Sequence, residues 1–478
     1  MSFLYNMYNI VSILKKKIKS ILVNKNVRRY KMKSIDLQES CFLLNPDCFL
    51  INGAVNGALY DLRSGHVYSI DNFSSKILSQ CELGLTLDQI EKNFFNSQQD
   101  IVGYLKPFNE IDIGRFVAKG DFIKKTKLPF PERKVNLIWL ELVHDCNQTC
   151  THCFGSCPLR KLTSQFVKES LPIDTWINII TDAYSLGARR IQLTGGEPML
   201  FGKDIFLLIE YAKSIGYEQI EMFTNATILD DADIDLLARY DVQVATNIYS
   251  NHPEIHDAIT GLKGSFYQTV DNIKKLQNKG VHVFLATILM KQNEACIKDT
   301  VLFTEQLGET EPLKHFDLVR PVGRGKKNRV LSDNLISWSL KKKPMFSKIT
   351  KEDFIKRRHG HSCWWGNVAV TNDGFVLPCI MAREEVCGDL KNNSLLEIFD
   401  AGDLMKMWKL SKDHIEVCCD CEYRYACMDC RPLAKGETGN FFGKRLSCLY
   451  NPYTGVWAET STKTGERNHE NSSHSSIS

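Results

Sequence analysis

The sequence has no apolar run of 18 residues, so nothing in it is written to cross a membrane as a helix. Its N-terminus lacks the design of a secretory signal. The apolar stretch 10–14 is short, runs into lysines and has no small-residue cleavage site after it. Charge of one sign is also scarce. The net charge is +4 over 478 residues and is spread along the chain, which leaves no electrostatic footprint for nucleic acid. These absences lead to the expectation of a cytoplasmic protein whose thiols stay reduced.

Cysteine, by contrast, is plentiful, with 17 in the chain. In a reducing compartment they are metal ligands before they are disulfides. The hydrophobic share of 43% and charged share of 24% are ordinary for a globular chain, and the length implies two or three domains.

The pattern divides the chain into five parts. Residues 1–39 form a basic leader, expected to be solvated; an amphipathic helix on an anionic membrane surface and a true start at Met32 are the alternatives. In residues 40–125, "GALYDLRSGHVYSI" predicts strands over 58–62 and 66–70 joined by a Ser64-Gly65 turn. Helices follow, one starting at Ser74 or Ser75, one capped by Thr86 with Leu87, Ile90 and Phe94 on one face, and one around 101–108. This is a small winged-helix-like module. Residues 134–330 alternate strands (137–143, 191–194, 220–224, 242–249, 283–288 and 315–319) with helices such as 174–186 and 266–278. Six β/α units predict an α/β fold with a parallel sheet curved into a partial (β/α)6, TIM-like barrel, whose function collects at the C-terminal ends of the strands. Residues 355–457 hold nine of the 17 cysteines and look pinned by metal. The polar tail 459–478 is expected to be disordered.

Just after the first barrel strand stands "HDCNQTCTHCFG", with Cys146, Cys150 and Cys153 in eight residues. A closed zinc site takes four ligands, and Cys157 or a distant residue could complete one. Three thiolates on one tight loop instead fit a [4Fe-4S] cube with one iron left open for a small chelating molecule. The CxxxCxxC spacing resembles the radical S-adenosylmethionine (SAM) superfamily, in which the open iron binds the amino and carboxylate groups of SAM. His152 stands where that family usually has an aromatic residue. One strand later, "LTGGEP" resembles the family's second motif, which implies SAM contacts for Gly195, Gly196 and Glu197. Family position implies that Asn247, at the end of a later strand, faces SAM as well.

The cysteine-rich end resembles the SPASM extension of such enzymes. Cys363, Cys379 and a run Cys418-x2-Cys421-x5-Cys427-x2-Cys430 precede Cys448, with x2 before Cys430 where the family usually has x3. The resemblance implies two auxiliary [4Fe-4S] clusters, one on Cys418, Cys421, Cys427 and Cys448 and one on Cys363, Cys379 and Cys430. Seven thiolates serve eight positions, so one iron is open or is completed by Cys387, His359 or His361. Cys419 could replace Cys418. Cys41, Cys48, Cys81 and Cys296 match no motif and are expected to be small buried hydrophobes or surface thiols.

"YDLRSGHVYSIDNFSSKIL" resembles the PqqD-type element that binds precursor peptides by strand addition to a sheet edge. With "PEIHDAITGLKGSFYQTVDNI", "CEYRYACMDCRP" and "YNPYTGVW" the chain is similar to maturases of ribosomally made peptides, of the sactipeptide or ranthipeptide kind. The resemblance implies one-electron reduction of SAM and hydrogen abstraction from a peptide carbon. A thioether crosslink then forms, and auxiliary clusters take the surplus electron. It also implies a precursor peptide and a flavodoxin- or ferredoxin-like reductant as partners. The rival enzymes are an anaerobic sulfatase-type formylglycine maturase and a maturase that forms C–C crosslinks; the leader-binding module argues against the first. The rival outside catalysis is a binder with structural metal, against which the open three-cysteine loop beside GGEP argues.

Overall fold

The computed structural model describes residues 35–94, 100–159, 170–308, 316–327, 329–332 and 346–458. Residues 1–34 of the leader, the tail 459–478 and His315 of the sixth predicted strand lie outside them. The chain divides into two compact units: the described residues up to Asn45 with Ser79–Ile123, and Pro46–Leu78 with the described residues from Lys124 onward. The division runs inside the module read at 40–125.

In the first unit, β1 (Ser40–Leu44) pairs antiparallel with β5 (Gly114–Ala118), two strands the sequence pattern did not mark. Phe42 and Phe116 meet edge-on at 5.2 Å between centroids. Thr86 caps the helix Leu87–Phe94 as expected. Its Oγ1 accepts from the Gln89 N–H at 3.4 Å, and Gln89 Oε1 accepts from the Thr86 N–H at 3.0 Å, a reciprocal capping box.

The second unit opens with a three-stranded antiparallel sheet, β2 (Cys48–Asn52), β3 (Gly57–Asp61) and β4 (His66–Ile70). The Ser64-Gly65 turn is present, with Gly65 at φ +72 where a side chain would strain the backbone. Ile51, Ala58 and Tyr60 of this sheet share a core with Phe354, Tyr425 and Ala426. The Tyr60 hydroxyl donates to the Glu422 carbonyl at 2.9 Å, and the Ala54 N–H to the Asp420 carbonyl at 2.8 Å. The sheet is thus bonded on both sides of Cys421.

The barrel follows: β6 (Leu137–Val143), β7 (Arg190–Gly195), β8 (Gln219–Phe223), β9 (Gln243–Asn247) and β10 (Val283–Ala286), all parallel. Ile138, Leu140 and Leu142 on one side of β6 and Glu141 and Val143 on the other are buried, as befits a strand in a parallel sheet covered on both faces. Between strands, helices bury one stripe; Trp176, Ile179, Ile180 and Ala183 of Ile173–Ser185 recur at helical spacing. The strand expected over 283–288 is broken at Thr287, whose hydroxyl donates to the Ile248 carbonyl at 3.0 Å. The chain resumes as β11 (Ile288–Leu289), which pairs parallel with β12 (Asp317–Leu318), the sixth strand. The expected partial barrel is therefore present, with its last unit in a separate two-stranded ladder.

Beyond β6 the same sheet continues into the cysteine-rich region. β13 (Asn367–Val370) pairs parallel with β6, and β14 (Phe375–Leu377) and β15 (Gly388–Asp389) follow antiparallel. The full order is β10-β9-β8-β7-β6-β13-β14-β15. Among the described residues no helix is long and apolar enough to cross a membrane.

Tyr60→Phe leaves the Glu422 carbonyl buried without its donor, so unfolding free energy should fall by about 1–3 kcal/mol. A urea titration of the wild type and variant reads this as a lower midpoint at unchanged slope.

Candidate metal and cofactor centre

The loop after β6 spends its side chains on a cavity and is held by its backbone. Cys146 N–H donates to the Pro158 carbonyl at 3.0 Å, Thr149 N–H to Thr260 at 2.8 Å and Thr151 N–H to Ile259 at 2.9 Å. The end of β7 presses on the same loop. Gly196 N–H donates to the Val143 carbonyl at 2.8 Å and Glu197 N–H to the Asp145 carbonyl at 2.9 Å. A Cβ on Gly195 would stand 2.3 Å from Val143 O, and one on Gly196 2.0 Å from Asp145 O. The glycine pair is thus required by the approach of two backbones as well as by its place beside the cavity.

Cys146, Cys150 and Cys153 line one cavity of about 330 Å³ together with Gly195, Gly196, Asn225 and Asn247. Cys157 lines it too. Glu197 does not. It is fully buried, and its carboxylate accepts from the Thr224 hydroxyl at 2.6 Å, the Asn225 N–H at 2.8 Å and the Met199 N–H at 3.2 Å. Burial raises its pKa to about 6 against these three donors. Glu197 holds the end of β8 in place, so that Asn225 can face Cys146 (Nδ2 to Sγ 3.9 Å) and donate to Asn147 Oδ1 at 2.7 Å. Asn225 stands in the "TNA" that closes the third strand, and its role was not visible from the motif.

The residues present fit the group that the motif implies. Gln148 Nε2, His152 Nδ1 and Asn247 Oδ1 are buried without a partner among the described residues, offering a donor and acceptors to a polar ligand. Burial pushes the Cys146 thiol up to about 12, with the Glu197 charge adding to it, and raises Cys150 as well. Cys153 moves the other way, because the Cys157 thiol donates to its sulfur. The Cys146 and Cys150 thiols ligate as thiolates when a metal displaces their protons. Among the described residues no three Cys, His, Asp or Glu side chains converge on a single ion. Cys146, Cys150 and Cys153 border a shared cavity with room for a cluster.

Glu141, buried in β6, accepts from His144 Nδ1 at 3.1 Å and from the Arg383 guanidinium. That hydrogen bond raises the His144 pKa, from a carboxylate that Arg383 also holds.

A second cavity, about 470 Å³, is lined by Cys418, Cys421, Cys427 and Cys448 with the cations Lys412, Arg424 and Arg445. Cys419 does not line it; Val417 at φ +65, strained for a β-branched residue, precedes the turn that selects Cys418. Cys379 lies close enough to Cys363 and Cys430 for their charges to raise its pKa, after burial, to about 12. Of the candidates for a fourth ligand, Cys387 is engaged elsewhere, while His359 and His361 each keep a buried Nε2 without a hydrogen-bond partner among the described residues. Cys387 is 6% exposed in the main core, its thiol donating to the Glu385 carbonyl at 3.6 Å. His361 stacks on Trp364 at 4.2 Å, and its Nδ1 accepts from the Cys363 and Trp364 N–H groups at 3.2 and 3.0 Å. His359 packs against Phe130 at 5.0 Å. Asp429, between Cys427 and Cys430, joins the two sets: it pairs with Arg431, with Lys412 at 3.6 Å and with His361 at 3.5 Å. Cys41, Cys48, Cys81 and Cys296 are all buried, the first of the two readings given to them.

Residues 140–304 match the Radical SAM superfamily, and residues 363–422 match an iron–sulfur cluster-binding domain, SPASM. The chain carries both domains and is an enzyme of the radical SAM type; the two domains imply [4Fe-4S] clusters and SAM. Among curated proteins it is similar to the AdoMet-dependent heme synthase of Nitratidesulfovibrio vulgaris, 25% identical over 66% of this chain and 92% of that one. It is also similar to the Antilisterial bacteriocin subtilosin biosynthesis protein AlbA of Bacillus subtilis, 23% identical over 65% of this chain and 70% of that one. Among solved structures, Streptococcus suis SuiB bound to precursor peptide SuiA shares the fold, with TM-score 0.51, 13% identity, and coverage of 85% of this chain and 99% of that one.

Glu197→Gln turns an amide NH2 toward backbone donors that a carboxylate now satisfies. The variant should lose about 1–3 kcal/mol of stability, read by chemical denaturation of the cluster-free chain.

Proposed function

We propose that this enzyme is a peptide maturase that installs a crosslink, a thioether, in a ribosomally made precursor. The observation that carries the reading is a radical SAM site and a SPASM region in one sheet, with the three-stranded sheet β2–β4 bonded beside Cys421. The likeness to a bacteriocin biosynthesis protein, and to the fold of a protein solved with a precursor peptide, supports it.

Cys146, Cys150 and Cys153 would hold the SAM cluster, and Gly195, Gly196, Asn225 and Asn247 would border SAM. When bound, that pair supplies a carbon-centred radical able to take a hydrogen atom from an unactivated peptide carbon. The chain's task is placement and exclusion of water. Ile288, Leu318, Val319, Ile380 and Met381 give the cavity apolar lining, against which a substrate carbon could sit dry. The sheet β2–β4, within a leader-recognition element spanning 40–125, would bind the precursor's leader by its backbone. Cys418, Cys421, Cys427 and Cys448 would hold one auxiliary cluster, and Cys363, Cys379 and Cys430 another with one iron open to a precursor thiolate. A flavodoxin- or ferredoxin-like protein would supply electrons.

The chain co-expressed with a cysteine-bearing precursor encoded beside its gene should give a peptide lighter by two hydrogens per crosslink, with the bond located by fragment-ion mass spectrometry. The triple variant Cys146→Ala, Cys150→Ala, Cys153→Ala should bind about four fewer irons, retain its auxiliary clusters and leave the precursor unmodified. A precursor of unchanged mass in the presence of turning-over SAM would defeat the maturase reading.

Cys387→Ala should keep all its iron, because that thiol belongs to the core. Adding precursor should change the auxiliary-cluster spectrum, and a Cys→Ser precursor should change it less. Loss of about four irons in Cys387→Ala would close the fourth position and remove the substrate-ligation role.

A further inference from the structure

The cysteine loop is gripped from a direction that no motif marks. One residue beyond β12, past Val319, the chain reads "RPVGRGK", residues 320–326. The Arg324 N–H donates to the Cys153 carbonyl at 2.9 Å. Its side chain reaches further along the loop, Nε donating to the Cys150 carbonyl at 2.8 Å and Nη1 to the Cys157 carbonyl at 2.9 Å. The preceding Gly323 lies at φ +56, and a Cβ there would stand 2.2 Å from Phe154 O and 2.6 Å from Cys153 O. Arg324 also lines the cavity that the three cysteines share.

One residue from the sixth strand's end therefore fixes three carbonyls of a loop that belongs to the first. A carbonyl pinned in place fixes the peptide planes on either side of it, and with them the directions in which the cysteine side chains leave the backbone. The planar guanidinium can span the Cys150 and Cys157 carbonyls at once; an ammonium on a flexible stem cannot hold both in fixed geometry. Its charge is permanent and sits beside the space where a reduced cluster would carry extra negative charge.

We propose that Arg324 is a positioning residue for the SAM cluster: it holds the three-cysteine loop in its ligating shape and favours the reduced state of the bound cluster. The proposal rests on the radical SAM reading of the cavity. It separates two physical effects, retention of the cluster through the pinned carbonyls and reduction through the fixed charge.

The experiment uses the anaerobically reconstituted full chain as wild type, Arg324→Gln, Arg324→Lys and Gly323→Ala. Two quantities are measured: the rate of iron loss to a ferrous chelator, and the midpoint potential of the cluster whose EPR signal shifts on adding SAM. Arg324→Gln should lose that cluster's iron about 10-fold faster and titrate at lower potential. Arg324→Lys should lose iron fast yet keep a potential close to wild type. Gly323→Ala should also lose iron fast with the wild-type potential, because its arginine remains. Auxiliary clusters should be retained throughout. Iron loss and potential unchanged in Arg324→Gln would overturn the proposal, as would equal loss of the auxiliary clusters, which would mark an effect on the whole fold. A wild type with no SAM-responsive cluster would sink the cofactor reading itself, and this inference with it.

Discussion

Everything at the centre hangs on a loop whose buried side chains are thiols and polar groups rather than apolar ones. Residues 146–157 turn their thiols toward a cavity, so the loop has almost no apolar core with which to hold its shape. Its N–H and C=O groups must then find partners in other segments. They do so at Thr260 and Ile259 and at Arg324 after β12, while Gly196 and Glu197 at the end of β7 hold Val143 and Asp145 just ahead of the loop. The barrel is the scaffold that brings these chain-distant segments to one place, because the C-terminal ends of parallel strands all open on the same side. Glu197 serves the same constraint at one remove, tying β8's exit to β7's.

Charge organises the second half of the molecule. Several cysteines crowded together become thiolates on binding metal, and that negative charge needs compensation in a poorly hydrated interior. Lys412, Arg424 and Arg445 line the cavity of one set. Lys412 is buried, which by itself would lower its pKa, yet Cys427 and Asp429 hold it charged. Asp429 in turn is kept ionised by Lys412 and Arg431. The two cysteine sets are therefore parts of one buried electrostatic arrangement, joined through the four residues from Cys427 to Cys430.

Much of this was legible in the sequence, for reasons that particular residues make plain. β6 was readable to the residue because a long apolar run bounded by a polar loop has few alternatives. Thr86 and Gly65 announced themselves because caps and left-handed turns demand few residue types. CxxxCxxC and GGEP were readable because chemistry constrains both identity and spacing. What escaped was long-range or short. The two-residue strands β11 and β12 carry no periodicity, and the break at Thr287 has no local cause. β1 and β5 find each other only across the intervening helices. Glu197 was assigned to the ligand by its motif; the structure surrounds it with three protein donors, and nothing in a linear string shows where a carboxylate turns. Asn225 acts through side-chain contacts and Arg324 through backbone carbonyls, and no residue pattern encodes either.

The parallel pairing of β13 with β6 has a consequence for how the protein is made. During synthesis β6 leaves the ribosome early, and β7 can cover one of its edges soon afterwards. The other edge waits for residues 367–370, which are made only after the whole barrel. Until then an apolar central strand presents unpaired N–H and C=O groups along one side, the kind of surface on which chains aggregate. A barrel whose β6 edge is still unpaired is thus more prone to association than the finished sheet. The cysteine-rich segment that closes that edge ends the exposure, so ligands for the auxiliary iron and relief from aggregation arrive in the same stretch of chain.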